Sequence, residues 1–428
     1  MNRARWISVG VVLLVRLFFA GELDLAEDEA YYWVWSQTLQ WGYFDHPPMI
    51  AYWIALGSAV LGKTELGVRA FGIVISSVAL LAPGFRSPQP LLCFLLLCTL
   101  PLFSLGGILA TPDLPLLSFW CLALWAAFEK RWYWYGLFAG GALLSKYTAF
   151  LLLPCVLAVC WRDRKCWMAT GIALLLYAPN IWWNIQHDWV SWQFQLFHIQ
   201  DEPRRLDFIL AQAALISPVL LFAIPFWLPF FPKERVLRLC YVTTVIPFAV
   251  AVWVGGEANW GAPAYVGLAA GLARMDGRWK QGAWTAVGLN GALSILIFIH
   301  LLRPLIDLPT DPSHRLNGGR NLADAVKAWG MEHVWTERYQ EAAWIHFYGD
   351  LPAHTNKNFG RMSQYDLWAT DLPETGLYVR PYRSKPPQYL PLMGYTLHTP
   401  RRITAHVDTT DETAFIRTHI WQSYVFSK

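Results

Sequence analysis

Apolar stretches long enough to cross a lipid bilayer recur from the N-terminus to about residue 302. A membrane-spanning helix needs about 20 mostly apolar residues. On this basis the sequence predicts eleven crossings, at residues 6–22, 67–84, 90–109, 114–129, 132–146, 148–161, 166–182, 207–230, 236–254, 259–274 and 282–302. The apolar segment 49–62 is short and follows Pro47-Pro48, so we interpret it as an interfacial or re-entrant helix.

The loops between these spans carry basic residues in every second position. Lysine and arginine are enriched in cytoplasmic loops, so these groups predict which loops face the cytoplasm. The groups are Arg3/Arg5, Arg86, Lys130/Arg131, Arg162/Arg164/Lys165, Lys233/Arg235/Arg238 and Arg274/Arg278/Lys280. This pattern places the C-terminus outside. No A-x-A cleavage site precedes the acidic cluster at 27–29, so the first apolar segment is interpreted as an uncleaved anchor.

From about Arg303 onward the composition becomes that of a soluble domain. Two helix-like runs, Asn321–Trp329 and Tyr339–Tyr348, alternate with Val334–Thr336 and with β-rich stretches near 376–381 and 394–407. The predicted fold class is therefore a multi-spanning α-helical membrane protein with a small C-terminal α/β periplasmic domain. Its predicted parts are a transmembrane domain at 1–302, with an outer loop at 22–66, and a soluble domain at 303–428.

The composition favours this class over others. Only 15% of the 428 residues are charged, against roughly 25% in soluble domains. The net charge of +4 is too small and too scattered to indicate nucleic-acid binding. None of the seven cysteines lies after residue 240, and no CxxC or Cys/His spacing occurs. Neither a disulfide framework nor a structural zinc site is therefore indicated.

The unusual polar residues fall in the loops that this topology leaves on the outer face. The first of these loops reads LAEDEAYYWVWSQTLQWGYFDHPP (Leu25–Pro48), with an acidic cluster, a Trp/Tyr-rich helix-compatible run and an Asp-His pair. The other outer loops contain Thr111–Asp113, Ser145–Thr148, Trp182–Arg205 and Glu257–Trp260. Carboxylates, histidines and isolated cations beside a membrane are costly, which indicates a reactive site on this face.

Together these motifs resemble those of a known family. The motifs are DEAYYW, GYFDHPPMIAYW, TPDLPLL, SKYTAFLLLP, PNIWWNIQHDW, EANWGAPAY, ERYQEAAWIHFYG and GRMSQYDLW. Their order is similar to that in multi-spanning glycosyltransferases that use polyprenyl-phosphate sugars. These enzymes share the C-type fold and include protein O-mannosyltransferases and the bacterial lipid A aminoarabinose transferase. The resemblance extends over nearly the whole chain.

The resemblance implies that Asp28 is the catalytic base. The chemistry supports the same assignment, because transfer to a hydroxyl needs a base for the acceptor proton and cations for the leaving phosphate. On a helix Glu29 projects about 100° away from Asp28, so we expect a supporting role for it. Tyr31 is a further supporting candidate, and Glu27 is interpreted as solvated.

The candidate ligands of the donor phosphate are cations of the outer loops, namely His46, Lys146, Arg204 and Arg205. His46 stands where the aminoarabinose transferase has a phosphate-contacting lysine, and an unperturbed histidine has a pKa of only about 6.5. Lys146 either contacts phosphate or extends its ammonium group to the membrane surface. Arginine binds phosphate through two hydrogen bonds, which favours Arg204 and Arg205.

The remaining candidates support the site or bind a metal. Asp113 follows a proline at a predicted helix start, where it could cap the helix, line the site or do both. Arg16 is a charge inside the first crossing, and Asn259 belongs to an outer loop. The loop histidines His187 and His198 could bind a divalent metal cation together with Asp45 or a carboxylate of the acidic stretch, although no HxxxH-type spacing is present.

The predicted function is transfer of a sugar from a polyprenyl (undecaprenyl-type) phosphate to a lipopolysaccharide or lipid A-like acceptor. The predicted location is the periplasmic face of the bacterial inner membrane, and the lipid acceptor is implied by the resemblance alone. The alternatives are a transporter or flippase of lipid-linked sugars and an enzyme acting on protein hydroxyls. A transporter would place ionisable residues near the bilayer midplane in repeated halves, and the sequence contains no internal repeat.

Overall fold

The computed structural model describes residues 3–200, 205–216, 232–303, 305, 316, 318–368, 371–381, 389–398, 401–407 and 417–428. The chain divides into two compact units. The first comprises Met1–Ala20, Gln40–Gly57 and Arg69–Ile297, and the second comprises Gly21–Leu39, Ser58–Val68 and Phe298–Lys428. Compactness and membrane topology are different properties, so the predicted domains at 1–302 and 303–428 stay a prediction.

The described chain up to residue 303 is helical. Its helices are α1 Arg3–Glu22, α2 Glu27–Ser36, α3 Met49–Leu61, α4 Glu65–Ala79, α5 Pro90–Thr99, α6 Pro101–Gly106, α7 Asp113–Phe128, α8 Trp132–Leu143, α9 Leu152–Cys160, α10 Arg164–Gln186, α11 Val190–Gln200, α12 Arg205–Ile216, α13 Arg235–Val254, α14 Ala262–Leu272 and α15 Arg278–Leu302. Short 3-10 turns at Tyr147–Leu151 and Ala258–Gly261 precede α9 and α14.

Three of the described helices, α1, α13 and α15, are long and apolar enough to cross a membrane. Several predicted crossings are shorter or broken in the structure. The predicted span 90–109 is divided because Pro101, which cannot donate a backbone hydrogen bond, begins the separate helix α6. The span 207–230 is described only as far as residue 216. The count of eleven crossings therefore stays a prediction.

Close helix contacts in the first unit depend on small residues. In α8, a Cβ atom at Gly136 would lie 2.7 Å from the carbonyl oxygen of Ala169, and one at Gly140 would lie 2.7 Å from the Leu176 side chain. Glycine at both positions lets the backbones of α8 and α10 approach, as small residues do in membrane helix pairs.

The loops that carry the basic groups contact one another. Arg86 Nη1 pairs with Glu129 at 2.6 Å. Arg235 donates to the carbonyl oxygens of Ala127 and Phe128 at 2.8 and 2.6 Å. A third contact, Arg274 to the Pro83 oxygen, is 3.2 Å long. These helix ends therefore lie together.

Helix α1 ends where α4 begins. Arg69 near the start of α4 is fully buried, and its Nη1 donates to the carbonyl oxygen of Ala20 at 2.9 Å. One side chain cannot bridge a hydrocarbon layer of about 30 Å, so the intervening chain leaves and returns at the same end of the helices. The interpretation of residues 49–62 as an interfacial or re-entrant helix stays a prediction.

The second unit contains a six-stranded mixed sheet. Its strands are β1 Val334–Thr336, β2 Ala353–His354, β3 Thr375–Pro381, β4 Thr396–Leu397, β5 Arg401–Val407 and β6 Arg417–Ser427. The order is β2-β1-β3-β6-β4, with β5 also paired to β6. Strand β1 is parallel to β2 and β3, whereas β6 is antiparallel to β3, β4 and β5.

The helices of this unit are α16 Gly319–Lys327, α17 Tyr339–Gly349, α18 Gln364–Leu367 and α19 Tyr389–Leu392. The two predicted helical runs correspond to α16 and α17. Strand β6 was not predicted, although it pairs with three other strands. Its alternation of side chains is irregular, so the sequence pattern alone did not identify it.

Helix α2 belongs to the second unit through contacts with α17. The backbone N–H of Leu25 donates to Tyr348 Oη at 2.7 Å, and Trp344 Nε1 donates to the Leu25 oxygen at 3.0 Å. Arg320 pairs with Asp24 at 2.8 Å and also with Glu65. Both ends of the first outer loop are therefore attached to the C-terminal part of this unit.

Candidate active site

Asp28 lies in the first turn of α2 and keeps part of its surface exposed. Tyr339, the first residue of α17, donates its hydroxyl to Asp28 Oδ1 at 3.1 Å. The carboxylate is therefore both accessible and held in place, as a general base requires.

Glu29 has a different environment. It is fully buried, and its Oε2 accepts the backbone N–H of Ala26 at 2.9 Å. A glutamate three residues after the N-cap that bonds back to the cap N–H stabilises the start of a helix. This contact fixes the first turn of α2, on which Asp28 lies.

Arg338 holds a cation beside the same acidic turn. Its Nε donates to Glu341 at 2.8 Å, and its Nη2 lies 4.0 Å from Glu27 Oε1. Burial raises the pKa of Glu341, and the Arg338 charge opposes that shift. The interpretation of Glu27 as solvated is wrong, because only 17% of its side chain is exposed and it faces Arg338.

Tyr31 packs inside this arrangement. It is buried, its hydroxyl accepts the Gln364 N–H at 2.6 Å, and its ring centre lies 4.4 Å from that of Tyr339. The guanidinium carbon of Arg361 lies 4.7 Å from the Tyr339 ring centre. Tyr31 therefore positions neighbouring groups. Because its side chain is buried, the structure does not support a direct contact with a substrate.

The Asp45-His46 segment belongs to the first unit and is fixed through its backbone. The carbonyl oxygens of every second residue from Trp41 to Asp45 accept hydrogen bonds from side chains of α10 and α11. These bonds are Asn180 Nδ2 to Trp41 at 2.8 Å, Ser191 Oγ to Tyr43 at 2.6 Å and Gln195 Nε2 to Asp45 at 2.8 Å. Asn180 of the motif PNIWWNIQHDW and two residues of the following helix α11 thus hold the segment that precedes the two prolines.

Gly42 makes this approach possible, because a Cβ atom there would lie 2.6 Å from the Trp183 ring and 2.8 Å from Asn180. The Asp45 side chain is buried, and His46 is half-buried. Phosphate binding by His46 and a supporting role for Asp45 stay predictions.

Asp113, Lys146 and Asn259 form a second polar cluster in the first unit. Lys146 Nζ donates to both carboxylate oxygens of Asp113, at 2.8 and 2.9 Å. Asn259 Nδ2 donates to Asp113 Oδ2 at 2.6 Å. Three outer-loop motifs, TPD, SKYT and EANW, therefore meet at one point.

The cluster decides two questions that the sequence left open. Asp113 is the first residue of α7 and makes no side-chain capping bond, because its carboxylate faces Lys146. Lys146 is buried and does not extend to the membrane surface. The ammonium group neutralises the carboxylate, as a buried charge requires.

Arg16 is buried among neutral acceptors. Its Nη1 lies 3.2 Å from Ser77 Oγ and 3.4 Å from Ser76 Oγ, and Nη2 donates to the Phe103 oxygen at 3.0 Å. It therefore joins α1, α4 and α6, and its supporting role at the site stays a prediction.

The long outer loop contains the remaining candidates. Arg205 is exposed, and its Nε donates to the Trp253 oxygen near the C-terminal end of α13 at 3.1 Å. Arg204 and the side chain of His198 lie outside the described residues. Phosphate binding by Arg204 and Arg205 stays a prediction.

His187 is engaged by its own helix. Its Nδ1 lies 2.8 Å from the Trp183 oxygen, and its ring stacks on Trp183 with centres 4.0 Å apart. Within the described ranges, no three His, Cys, Asp or Glu side chains are grouped so that they could hold a metal ion. The divalent cation at His187 and Asp45 stays a prediction, and no step is assigned to it.

Sequence reasoning missed Arg69, Arg338 and Tyr339. Arg69 could have been found, because an arginine inside an apolar span suggests a structural or functional role. Tyr339 and Arg338 lie in the motif ERYQEAAW, which supported the resemblance but gave no local signal of a contact with the acidic helix.

Comparison with known proteins gives consistent matches. Residues 45–183 match the family of dolichyl-phosphate-mannose-protein mannosyltransferases. The chain is 28% identical over 323 residues to the lipid A galacturonosyltransferase RgtD of Rhizobium johnstonii, covering 66% of this chain and 67% of that protein. It is 30% identical over 195 residues to the undecaprenyl phosphate-alpha-4-amino-4-deoxy-L-arabinose arabinosyl transferase of Pseudomonas aeruginosa, covering 39% of this chain and 35% of that one.

The fold is similar to that of ArnT from Cupriavidus metallidurans. Crystal structures of ArnT in the apo state and bound to undecaprenyl phosphate both match with a TM-score of 0.63 at 14% identity, over 97–98% of each chain. These matches confirm the resemblance found in the sequence, and the chain is a membrane glycosyltransferase with the C-type fold.

Proposed function

We propose that this chain transfers a sugar from a polyprenyl (undecaprenyl-type) phosphate to a lipid A-type acceptor on the periplasmic face of the inner membrane. The observation that carries the proposal is the accessible carboxylate of Asp28, held by Tyr339 shortly after the apolar helix α1 ends. A base at the membrane boundary can serve a lipid-borne donor and an acceptor in solvent. The names of the two relatives support the donor and acceptor classes.

The reaction is a single displacement with inversion. The acceptor oxygen forms a bond to the anomeric carbon while the bond from that carbon to the carrier phosphate breaks, and polyprenyl phosphate leaves with the bonding electrons. Asp28 takes the proton of a hydroxyl acceptor. A phosphate acceptor is already ionised at neutral pH and needs no base, in which case Asp28 orients the sugar.

Cations supplied by His46, Lys146, Arg204 and Arg205 stabilise the leaving phosphate in this proposal. Lys146 directs two hydrogen bonds at Asp113, and an ammonium group has three donors. One donor therefore remains for a phosphate oxygen, which allows Lys146 to act both in the ion pair and on the donor.

The proposed topology has eleven crossings, with the acidic loop and the C-terminus outside. Two sets of contacts support it. Loops with basic groups meet through Arg86 and Arg235, and loops assigned to the opposite face meet through Lys146.

A protein hydroxyl is the second candidate acceptor, favoured by the mannosyltransferase family that residues 45–183 match. Mass spectrometry of lipid A and of envelope proteins from a deletion strain separates the two acceptors. Loss of a sugar from lipid A supports the proposal, whereas unchanged lipid A with a missing protein glycan favours the second candidate.

The role of Asp28 is tested by the variants Asp28→Asn and Glu29→Gln. With a hydroxyl acceptor, turnover of Asp28→Asn should fall at least about 10²-fold, the low end for general base catalysis, with donor binding retained. Glu29→Gln is the matched control, because its amide oxygen can still accept the Ala26 N–H. Near-normal turnover in purified Asp28→Asn would remove this residue from the catalytic site.

A further inference from the structure

Tyr339 links the C-terminal part of the chain to the Asp28 carboxylate. The two residues are 311 positions apart in the sequence, yet Tyr339 Oη lies 3.1 Å from Asp28 Oδ1. The preceding residue, Arg338, is bonded to buried Glu341 on α17 and lies near Glu27 on α2. The ionic contacts of Arg338 thus link the first turns of α2 and α17 next to this hydrogen bond.

The Tyr339 ring is also held by its neighbours. Its centre is 4.4 Å from the ring of Tyr31, and the guanidinium carbon of Arg361 lies 4.7 Å away. The loop of Arg361 runs close to the start of α17, since a Cβ atom at Gly360 would lie 2.4 Å from the Glu337 oxygen. With the ring fixed, the direction of the hydroxyl toward Asp28 is fixed as well.

We propose that Tyr339 is a positioning residue for the Asp28 carboxylate, orienting it for proton transfer and stabilising its ionised form through one hydrogen bond. The inference rests on the proposed role of Asp28 as the base. It makes the C-terminal part of the chain a contributor to catalysis, beyond any role in selecting the acceptor.

The proposal makes a pH-dependent prediction. A hydrogen bond to the ionised form of a carboxylate favours that form, so removal of the hydroxyl favours the protonated, inactive form. The charged or titratable groups on the elements beside Asp28 include Glu27, Glu29, Tyr31 and Tyr32 on α2, Glu337, Arg338, Glu341, His346 and Tyr348 on or next to α17, and Arg361. All of them are retained in Tyr339→Phe, so a change can be assigned to the hydroxyl.

The test is the pH profile of kcat for purified Tyr339→Phe, with lipid-linked sugars extracted from the source strain as donor and its lipid A as acceptor. The acid limb of the profile should move to higher pH by about one unit, equal to about 1.4 kcal/mol between the two protonation states. At neutral pH the lost orientation of the carboxylate should lower kcat roughly threefold to tenfold, the size expected for one hydrogen bond, while KM for the donor stays unchanged. A wild-type profile in Tyr339→Phe would overturn the inference.

Tyr348→Phe is the matched control. It lies on the same helix and loses one hydrogen bond to the same segment, the bond from the Leu25 N–H. A merely structural effect would appear in both variants as a lower Tm without a shift of the acid limb, and this result would also overturn the inference. Transfer by the wild-type protein reports on the proposed function separately, so failure of the one is distinguishable from failure of the other.

Discussion

Replacement of Lys146 by methionine tests whether its primary partner is Asp113 or the donor. The two side chains are only 9% and 11% exposed, so Lys146→Met leaves a buried carboxylate with the Asn259 amide but no opposite charge. Removal of one partner of a buried ion pair costs about 3–5 kcal/mol. For a chain of 428 residues 1 kcal/mol changes Tm by about 1 °C, so Tm in detergent should fall by about 3–6 °C.

The double variant Lys146→Met/Asp113→Asn removes both charges and retains a polar group beside Asn259. It should be more stable than Lys146→Met, with a coupling energy of about 0.5–3 kcal/mol in the double-mutant cycle. If Lys146 also contacts the donor phosphate, kcat/KM for the donor should stay at least about tenfold low in the double variant while Tm recovers. A Tm of Lys146→Met within about 1 °C of wild type would refute the ion-pair reasoning.

Two further predictions concern packing and topology. Gly107→Ala should destabilise the protein strongly, since its Cβ would lie 2.4 Å from the Arg16 guanidinium and displace a buried charge; Gly106→Ala, which meets nothing within 4 Å, should leave Tm unchanged or raise it. A thermal melt of both variants decides this, and equal Tm values would contradict it. All seven native cysteines are buried, so an impermeant thiol reagent on intact spheroplasts should label Lys357→Cys and not Lys130→Cys; labelling at 130, or none at 357, would refute the topology.

The sequence grouped the loops by membrane face, but it did not predict the side-chain contacts within the candidate site. Alternating basic groups assigned Asp113, Lys146 and Asn259 to one face, and the structure brings these three residues together. The assignment rests on the rule that the charges of short loops record which side of the bilayer each helix end faces. That rule does not apply to contacts between soluble segments, and the hydrogen bond between Tyr339 and Asp28 is a contact of this kind.

Side-chain periodicity was informative for some elements of the C-terminal part and not for others. The runs around Asn321 and Tyr339 were identified because their apolar positions follow a helical period. Strand β6 pairs with the whole of β3 through residues 421–427, yet its mixture of polar and aromatic residues has no strict alternation. Its identity depends on partner strands, which no local pattern reveals.

The two aspartates of the outer-loop motifs differ in the property that a general base needs. Asp113 receives two charge-assisted hydrogen bonds from the Lys146 ammonium group. To take a proton, Asp113 would have to give up that pairing inside a buried site. Asp28 is more accessible and accepts a hydrogen bond from the Tyr339 hydroxyl, which orients the carboxylate. Proton acceptance therefore favours Asp28, whereas the Asp113 carboxylate is suited to fixing Lys146 and the three loops that meet there.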